Sequence, residues 1–311
     1  MRADYLGGMD ATQTTVPTDA RPSIVSRNFR AATGAVTERH WVRQDPYASA
    51  FFNALSAVFP HGETFMIRSL VPWVGRVPDA LRPDVQAFIE QEADHSREHV
   101  AMNRALTDMG YDIEPLDRKI RAFVSFFAGA SDTVKLTATM CIEHFTAIIA
   151  AELLKNRHHL EGVDDDMLEL WLWHAVEEVE HKGVAYDVWD HATNGWNPLR
   201  RYAWRSFFML AVTTSFFINR TLGQIELLRQ DGHAFLWSLK QIMRAGFGRG
   251  GIGRNVLAPW AAFFRPNYHP WDKDDRLLLA QGEADLATIA ARRAGYATTP
   301  SIVATALQAA A

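Results

Sequence analysis

An all-α fold is predicted by three observations. Apolar residues recur at helical spacing over long stretches, Pro or Gly stands at the ends of those stretches, and the alternating β-branched runs that mark strands are scarce. With 311 residues, 48% hydrophobic and 22% charged, the chain can form one large core or two modest ones and bury a polar site inside it.

The periodicity predicts a first helix over 45–74, kinked by Pro60 and Gly62 just before Glu63. Further helices follow over 82–109, 115–128, 132–156 and 165–191. After Asn197 come a long helix to about 230, another over 233–246, an irregular Gly-rich stretch and a final helix over 273–295. Residues 1–37, rich in Ala, Thr, Ser, Asp and Arg and lacking the apolar core of a signal peptide, read as a flexible arm. The expected organisation is this arm, a helix bundle over 38–195, a basic, Trp-rich helical extension over 196–297 packed on it, and a tail over 298–311.

The chemistry concentrates on four of these helices. In WLWHAVEEVEHK (171–182), His174, Glu178 and His181 fall within about 60 degrees of one another on a helix, on the stripe that carries Met167, Trp171 and Val188. Glu180 falls well away from that stripe and Glu177 lies at its edge. On the helix over 82–109, Glu92, His95 and His99 share a face with Val85, Phe88, Met102 and Leu106, while Asp94, Arg97 and Glu98 turn outward. Glu92 with His95 and Glu178 with His181 are the only Glu-x-x-His pairs in the chain. Two single acids sit in apolar company on the other helices: Glu63 between Phe59 and Ile67, and Glu143 beside Met140 and Ala147.

An unpartnered buried carboxylate costs several kcal/mol, roughly, in lost solvation. Four facing inward need compensation. The order Glu, Glu-x-x-His, Glu, Glu-x-x-His is the set with which a four-helix bundle holds two iron or manganese ions, and two divalent cations match four carboxylates in charge. The predicted metal ligands are therefore Glu63, Glu92, His95, Glu143, Glu178 and His181, with His174 a third histidine and His99 a further candidate that could equally support a ligand from behind. The donors suit iron first, with manganese or zinc as alternatives. His144 points about 100 degrees away from Glu143 and reads as structural, as does the single cysteine, Cys141.

The stretches FFNALSAVFPHGE, FIEQEADHSREH, LTATMCIEHFTA and WHAVEEVEHKGVAYDVW, followed by YHPWDKDDR, resemble the bacterial family called predicted metal-dependent hydrolase, a branch of the ferritin-like superfamily. The likeness runs over about residues 38–275. It implies a ferritin-like four-helix bundle with additional C-terminal helices, and the acids and histidines named above as its metal site. The His174, Glu178, His181 helix is also similar to the His-x-x-x-Glu-x-x-His helix of di-iron arylamine N-oxygenases, in which the additional histidine is a ligand to one iron.

Three functions are compatible with such a site. Foremost is a di-iron oxidase or oxygenase that activates O2 to oxidise a small organic substrate with an external electron donor. The alternative is a metal-dependent hydrolase that uses a metal-bridging hydroxide, and the third is metal storage. Other motifs are weak. GFGRGG (246–251) matches G-x-G-x-x-G but follows an amphipathic helix instead of a strand, so no dinucleotide fold supports it. No G-x-S-x-G elbow, Walker loop or CxxC pair occurs, and nucleic acid is not expected as a partner.

The net charge of −4 is unevenly spread: 197–271 holds ten Arg or Lys against Glu226 and Asp231. The run Ser206 to Ile218 is too short to cross a bilayer. It is expected to pack on the bundle or at a homodimer interface, or, with Trp204, Trp237, Trp260 and Trp271 in the same basic region, to form a peripheral membrane face. The expected location is the cytoplasm or the inner face of its membrane.

Overall fold

The computed structural model describes residues 38–298 together with Pro22, Ile24, Val25, Arg27 and Phe29. The fold is all-α. Pro46–Ser56 (α1) opens with Asp45 as N-cap, whose carboxylate accepts from the backbone N–H of Tyr47, and with Pro46 at the start, where a missing N–H costs nothing. Phe59–Leu70 (α2) is a separate helix. The predicted kink over 45–74 is a complete break at Ala57–Val58, because Pro60 cannot donate back to the preceding turn, and a 3-10 turn at Val71–Trp73 then ends the segment.

Arg82–Asp108 (α3) and Glu114–Phe126 (α4) follow, then Asp132–Lys155 (α5), capped by the Ser131 hydroxyl. Asp165–Glu180 (α6) starts at Asp164, whose carboxylate accepts from the N–H groups of Asp166 and Met167. The helix expected over 165–191 divides after Glu180 and resumes as Val184–Ala192 (α7). Gly183 stands at that break with Trp271 seated against it: a Cβ there would lie 2.8 Å from the indole nitrogen, so glycine is what the close approach requires. The remainder comprises Pro198–Gln230 (α8), Phe235–Phe247 (α9), two short helices Ile252–Asn255 (α10) and Leu257–Ala262 (α11), and Arg276–Thr298 (α12). The irregular stretch expected after 246 thus holds two short helices.

Helix α2 packs on α3 and α5 on α6, and the two pairs meet through α2 with α5 and α3 with α6. One apolar cluster, around Trp171, Trp173 and Leu170, lies on one side of this group. A second, around Phe88, Leu136 and Trp189, lies on the other. Helix α12 lies across α6, where Gly282 lets it approach: a Cβ there would be 2.6 Å from Val176. Helix α8 runs over α1, α4 and α5. Among the described residues only α5 is long and apolar enough to cross a bilayer, and 67% of its most apolar stretch is buried in the protein.

Two expectations change here. The run 206–218 is only partly covered: Met209 and Val212 are buried, but Phe207, Leu210, Phe217 and Ile218 face outward, so packing on the bundle accounts for one stripe of it. The arm expected over 1–37 lies mostly outside the described residues, as does most of the tail over 298–311. Within the arm, Phe29 stacks on Trp173 at 4.4 Å and Arg27 ion-pairs with Glu180 at 2.6 Å, so those residues are held on α6.

Candidate metal centre

Four helices deliver the ionisable groups to one buried chamber. Glu63 comes from α2, Glu92 and His95 from α3, Glu143 from α5, and His174 and Glu178 from α6. His181 caps the C-terminus of α6, its N–H still bonded to the carbonyl of Glu177, so the break before α7 does not displace it from the stripe. Glu92, His95 and His181 have no solvent exposure at all, and Glu63, Glu143 and Glu178 have 2% or less.

Ligand atoms of Glu92, His95, Glu178 and His181 lie within 4.8 Å of one another, and so do those of Glu63, His95 and His174. The two groups share His95. His181 Nε2 is 3.3 Å from Glu92 Oε1, and its Nδ1 is 3.0 Å from Glu143 Oε2, which ties Glu143 to the first group. His95 Nδ1 sits 3.7 Å from Glu178 and 3.9 Å from Glu92, and His174 Nε2 is 3.2 Å from Glu178. His99 stands outside. One of its ring nitrogens meets Ser56 Oγ and the other meets His174 Nδ1, both at 3.0 Å, so it has no atom left to offer and orients His174 from behind.

Several polar atoms of the chamber lack hydrogen-bond partners among the described residues. Both oxygens of Glu63, both of Glu92, Glu143 Oε1, Glu178 Oε2, His95 Nδ1 and His181 Nε2 are buried without one. Native structures pair nearly all such groups, and each buried atom left alone costs about 1–3 kcal/mol. Eight in one chamber is a set of donors waiting for something to coordinate.

The electrostatics agree. Burial drives Glu63 and Glu92 well above the ordinary carboxylate range, and the neighbouring Glu178 and Glu143 push them further. Burial also raises Glu143, to about 7, although His181 partly offsets it. Glu178 would be raised by burial too, but the imidazoles of His174, His181 and His95 surround it and hold it down at about 2. His181 shows the complementary balance: burial lowers it, and the carboxylates of Glu143, Glu178 and Glu177 outweigh that and lift it to about 9. Four acids thus compete for too little positive charge.

A second layer of groups, which helical periodicity placed wrongly, holds the chamber. Glu177 is fully buried. Its carboxylate accepts from Trp173 Nε1 at 2.9 Å, from His95 Nε2 at 3.1 Å and from the backbone N–H of Arg27 at 3.3 Å. With Nε2 so engaged, the His95 ring turns Nδ1 to the chamber. Glu180 is off the stripe, yet buried, because Arg27 and Gln91 cover it. Glu98 is likewise buried instead of outward-facing, with Arg97 folded over it at 2.9 Å. The acid-rich EEVE run was the one visible signal of this layer. Arg27 comes from 150 residues away, and no spacing rule reaches it.

Apolar rings close the walls. Phe88 sets its edge on His181 at 4.7 Å, Trp173 on His95 at 4.9 Å, and Phe59 stacks on His174 at 5.0 Å. Beside His174 and Glu178 is a cavity of about 20 Å³, bounded by Ile149, Ala150 and Phe216 among others, with room for one water-sized molecule.

The profile of a family described as predicted metal-dependent hydrolase matches residues 25–274. The chain belongs to this family. No curated protein matches it, and no solved structure does. The match begins at Val25 and so takes in Arg27 as well as every chamber residue. Membership in a metal-dependent family accords with the buried Glu and His cluster, and it favours the hydrolytic alternative over the oxidative reading of the sequence.

Proposed function

We propose that this member of the predicted metal-dependent hydrolase family hydrolyses a small organic substrate at a pair of divalent cations. The ligands in this reading are Glu63, Glu92, His95, Glu143, His174, Glu178 and His181. The observation that carries it is the convergence of eight buried, unpartnered oxygen and nitrogen atoms from six of these side chains. The donors fit the cations: four carboxylates balance two divalent ions, and oxygen with imidazole nitrogen suits iron, manganese or zinc. Such cations, once bound, lower the pKa of water toward neutrality and polarise a carbonyl or phosphoryl oxygen.

The chain's own residues supply position and dryness. Glu177 fixes the ring and tautomer of His95, and His99, held by Ser56, does the same for His174; such outer partners set ligand orientation and basicity. Phe88, Phe59 and Trp173 keep bulk water off the imidazoles.

A second reading, oxidation of a small molecule by O2, is favoured by the carboxylate-rich donor set and the His174, Glu178, His181 spacing. One experiment separates the two. Purified protein is analysed for metal, stripped by a chelator, reloaded with Zn, Mn or Fe(II), and assayed for hydrolysis of p-nitrophenyl esters and for oxygen uptake. The expected result is two ions per chain and hydrolysis lost on stripping and restored on reloading. Stoichiometric oxygen uptake by the Fe(II) form with no hydrolysis in any form would transfer the conclusion to the second reading, and filling well beyond two irons would point to storage.

A further inference from the structure

A second buried charge lies one layer out from the chamber, and its sign is opposite. Helices α1, α5, α8 and α9 enclose a cleft of about 460 Å³, within the range of small-molecule sites. Its walls are mainly apolar, among them Phe51, Phe145, Phe217 and Ile242. The Gly246–Gly253 segment forms one side, which gives the glycine run a place in the fold that involves no nucleotide. Met243, Phe247 and Leu257 on the lining are exposed and mark its mouth.

Arg220 projects into this cleft. By area it is half-buried, but its guanidinium lies flat over Phe51, with Cζ 3.7 Å from the ring centre. Nη1 donates to Gln224 Oε1 at 2.8 Å, whereas Nη2 is shut off from solvent and has no hydrogen-bond partner among the described residues. None of the described carboxylates forms an ion pair with it. Asp45, the one acid on the lining, is engaged as the cap of α1, and Arg43 and Arg249 line the cleft as well. Burial pulls the guanidinium down to about 9, the mark of a cation lacking a counter-ion.

The cleft adjoins the chamber. Ile149 and Phe216 line both the cleft and the 20 Å³ cavity beside His174 and Glu178. Phe216 stands four residues, about 6 Å, from Arg220 along α8 and stacks on Phe145. These two side chains are all that the walls of the cleft and the cavity have in common.

We propose that the cleft binds the substrate as an anionic amphiphile, with a carboxylate, phosphate or sulfonate on Arg220, the apolar body along the cleft, and the reacting end directed past Ile149 and Phe216. The inference rests on the hydrolytic reading only for what happens at that reacting end. Guanidinium in an apolar pocket selects such ligands because it forms paired, charge-assisted hydrogen bonds with them, whereas an uncharged oxygen that accepts from Nη2 leaves the buried charge unmatched.

Binding of decane-1-sulfonate and decan-1-ol to the full-length, metal-loaded protein tests this by calorimetry below the micellar range. Sulfonates are poor metal ligands, so their binding does not report on the ions. The sulfonate should bind roughly tenfold more tightly or better, since a charged hydrogen bond is worth about 1.5–3 kcal/mol. Arg220→Gln should bring it close to the alcohol while changing the alcohol's affinity far less, and Arg220→Lys should lose less. Equal affinity for the two probes in the wild type, which needs no variant to fold, would overturn the proposal, as would a sulfonate preference that survives Arg220→Gln. Binding as expected with no ester hydrolysis by any metal form would leave the cleft standing and remove the hydrolytic reading.

Discussion

The chamber and the cleft both bury charge among apolar side chains, and they differ in its sign and in how it is held. The chamber gathers four carboxylates and three imidazoles from α2, α3, α5 and α6, and eight of their atoms have no hydrogen-bond partner among the described residues. The cleft presents one guanidinium, supported by an aromatic face and a single amide. An excess of negative charge enclosed on all sides is relieved by small cations. One unmatched positive charge in an apolar cleft would be relieved by a larger ligand that brings its own anion. In the proposed reading, charge sign and cavity shape together divide metal from substrate.

The sharpest way to break that division is Glu92→Gln. It keeps the shape and removes one negative charge, and metal content should fall from two ions per chain to one or fewer by elemental analysis. The stripped variant should then be more stable than stripped wild type. Holding a carboxyl neutral at pH 7 costs about 1.4 kcal/mol for each pH unit above its ordinary pKa, so about 3.5 kcal/mol is the ceiling. A gain of roughly 1–3 kcal/mol, several degrees in Tm, is expected. A loss of stability on chelation-matched comparison would mean that Glu92 serves the fold and not a ligand.

The contrast between the two regions also explains what was legible in the sequence. The chamber residues recur at helical spacing on four segments, so periodicity alone places Glu92 with His95 and Glu178 with His181 on inward faces. The same rule turned Glu98 outward and gave no sign that Glu177, at the edge of the stripe, and Glu180, off it, are buried, because a helix can be buried on more than one face once another segment covers it. For Glu177 and Glu180 the cover is Arg27 and Phe29. The need for glycine at 183 depends on Trp271, nearly ninety positions away, and the cleft depends on α1, α5, α8 and α9 meeting around Arg220. Those are consequences of tertiary contact, to which local spacing is blind.

A smaller effect should follow at Glu177, which positions His95 without facing the chamber. Glu177→Gln retains an acceptor and the shape, but replaces a charged partner of the imidazole by a neutral one. Loss of such an outer carboxylate typically lowers metal affinity by about 10–100-fold. The expectation is that range for the more weakly held ion, measured by competition with a chelator, with secondary structure unchanged by circular dichroism. Unaltered affinity would assign Glu177 to anchoring Arg27 and Trp173 alone.

The smallest effect is one of pH on the stripped protein, and its sign is set by the chamber's own groups. Between pH 7 and 9 an unfolded chain has released the protons of its Glu and His side chains. The folded chamber still holds protons there, because His181 is lifted to about 9, Glu143 to about 7, and Glu63 and Glu92 are raised as well. The folded state therefore binds more protons than the unfolded one, and stability must fall as pH rises through this window. His95 and His99, which burial holds far below their ordinary value, act in the opposite sense only at lower pH, below about 6.5. Stripped protein should thus lose roughly 1–2 kcal/mol between pH 7 and 9 by urea denaturation. With cations bound the dependence should reverse, since metals displace those same protons and bind more tightly as pH rises. An identical pH slope with and without metal would show that the protons and the cations do not compete for one set of atoms, and the chamber would lose its claim to hold metal.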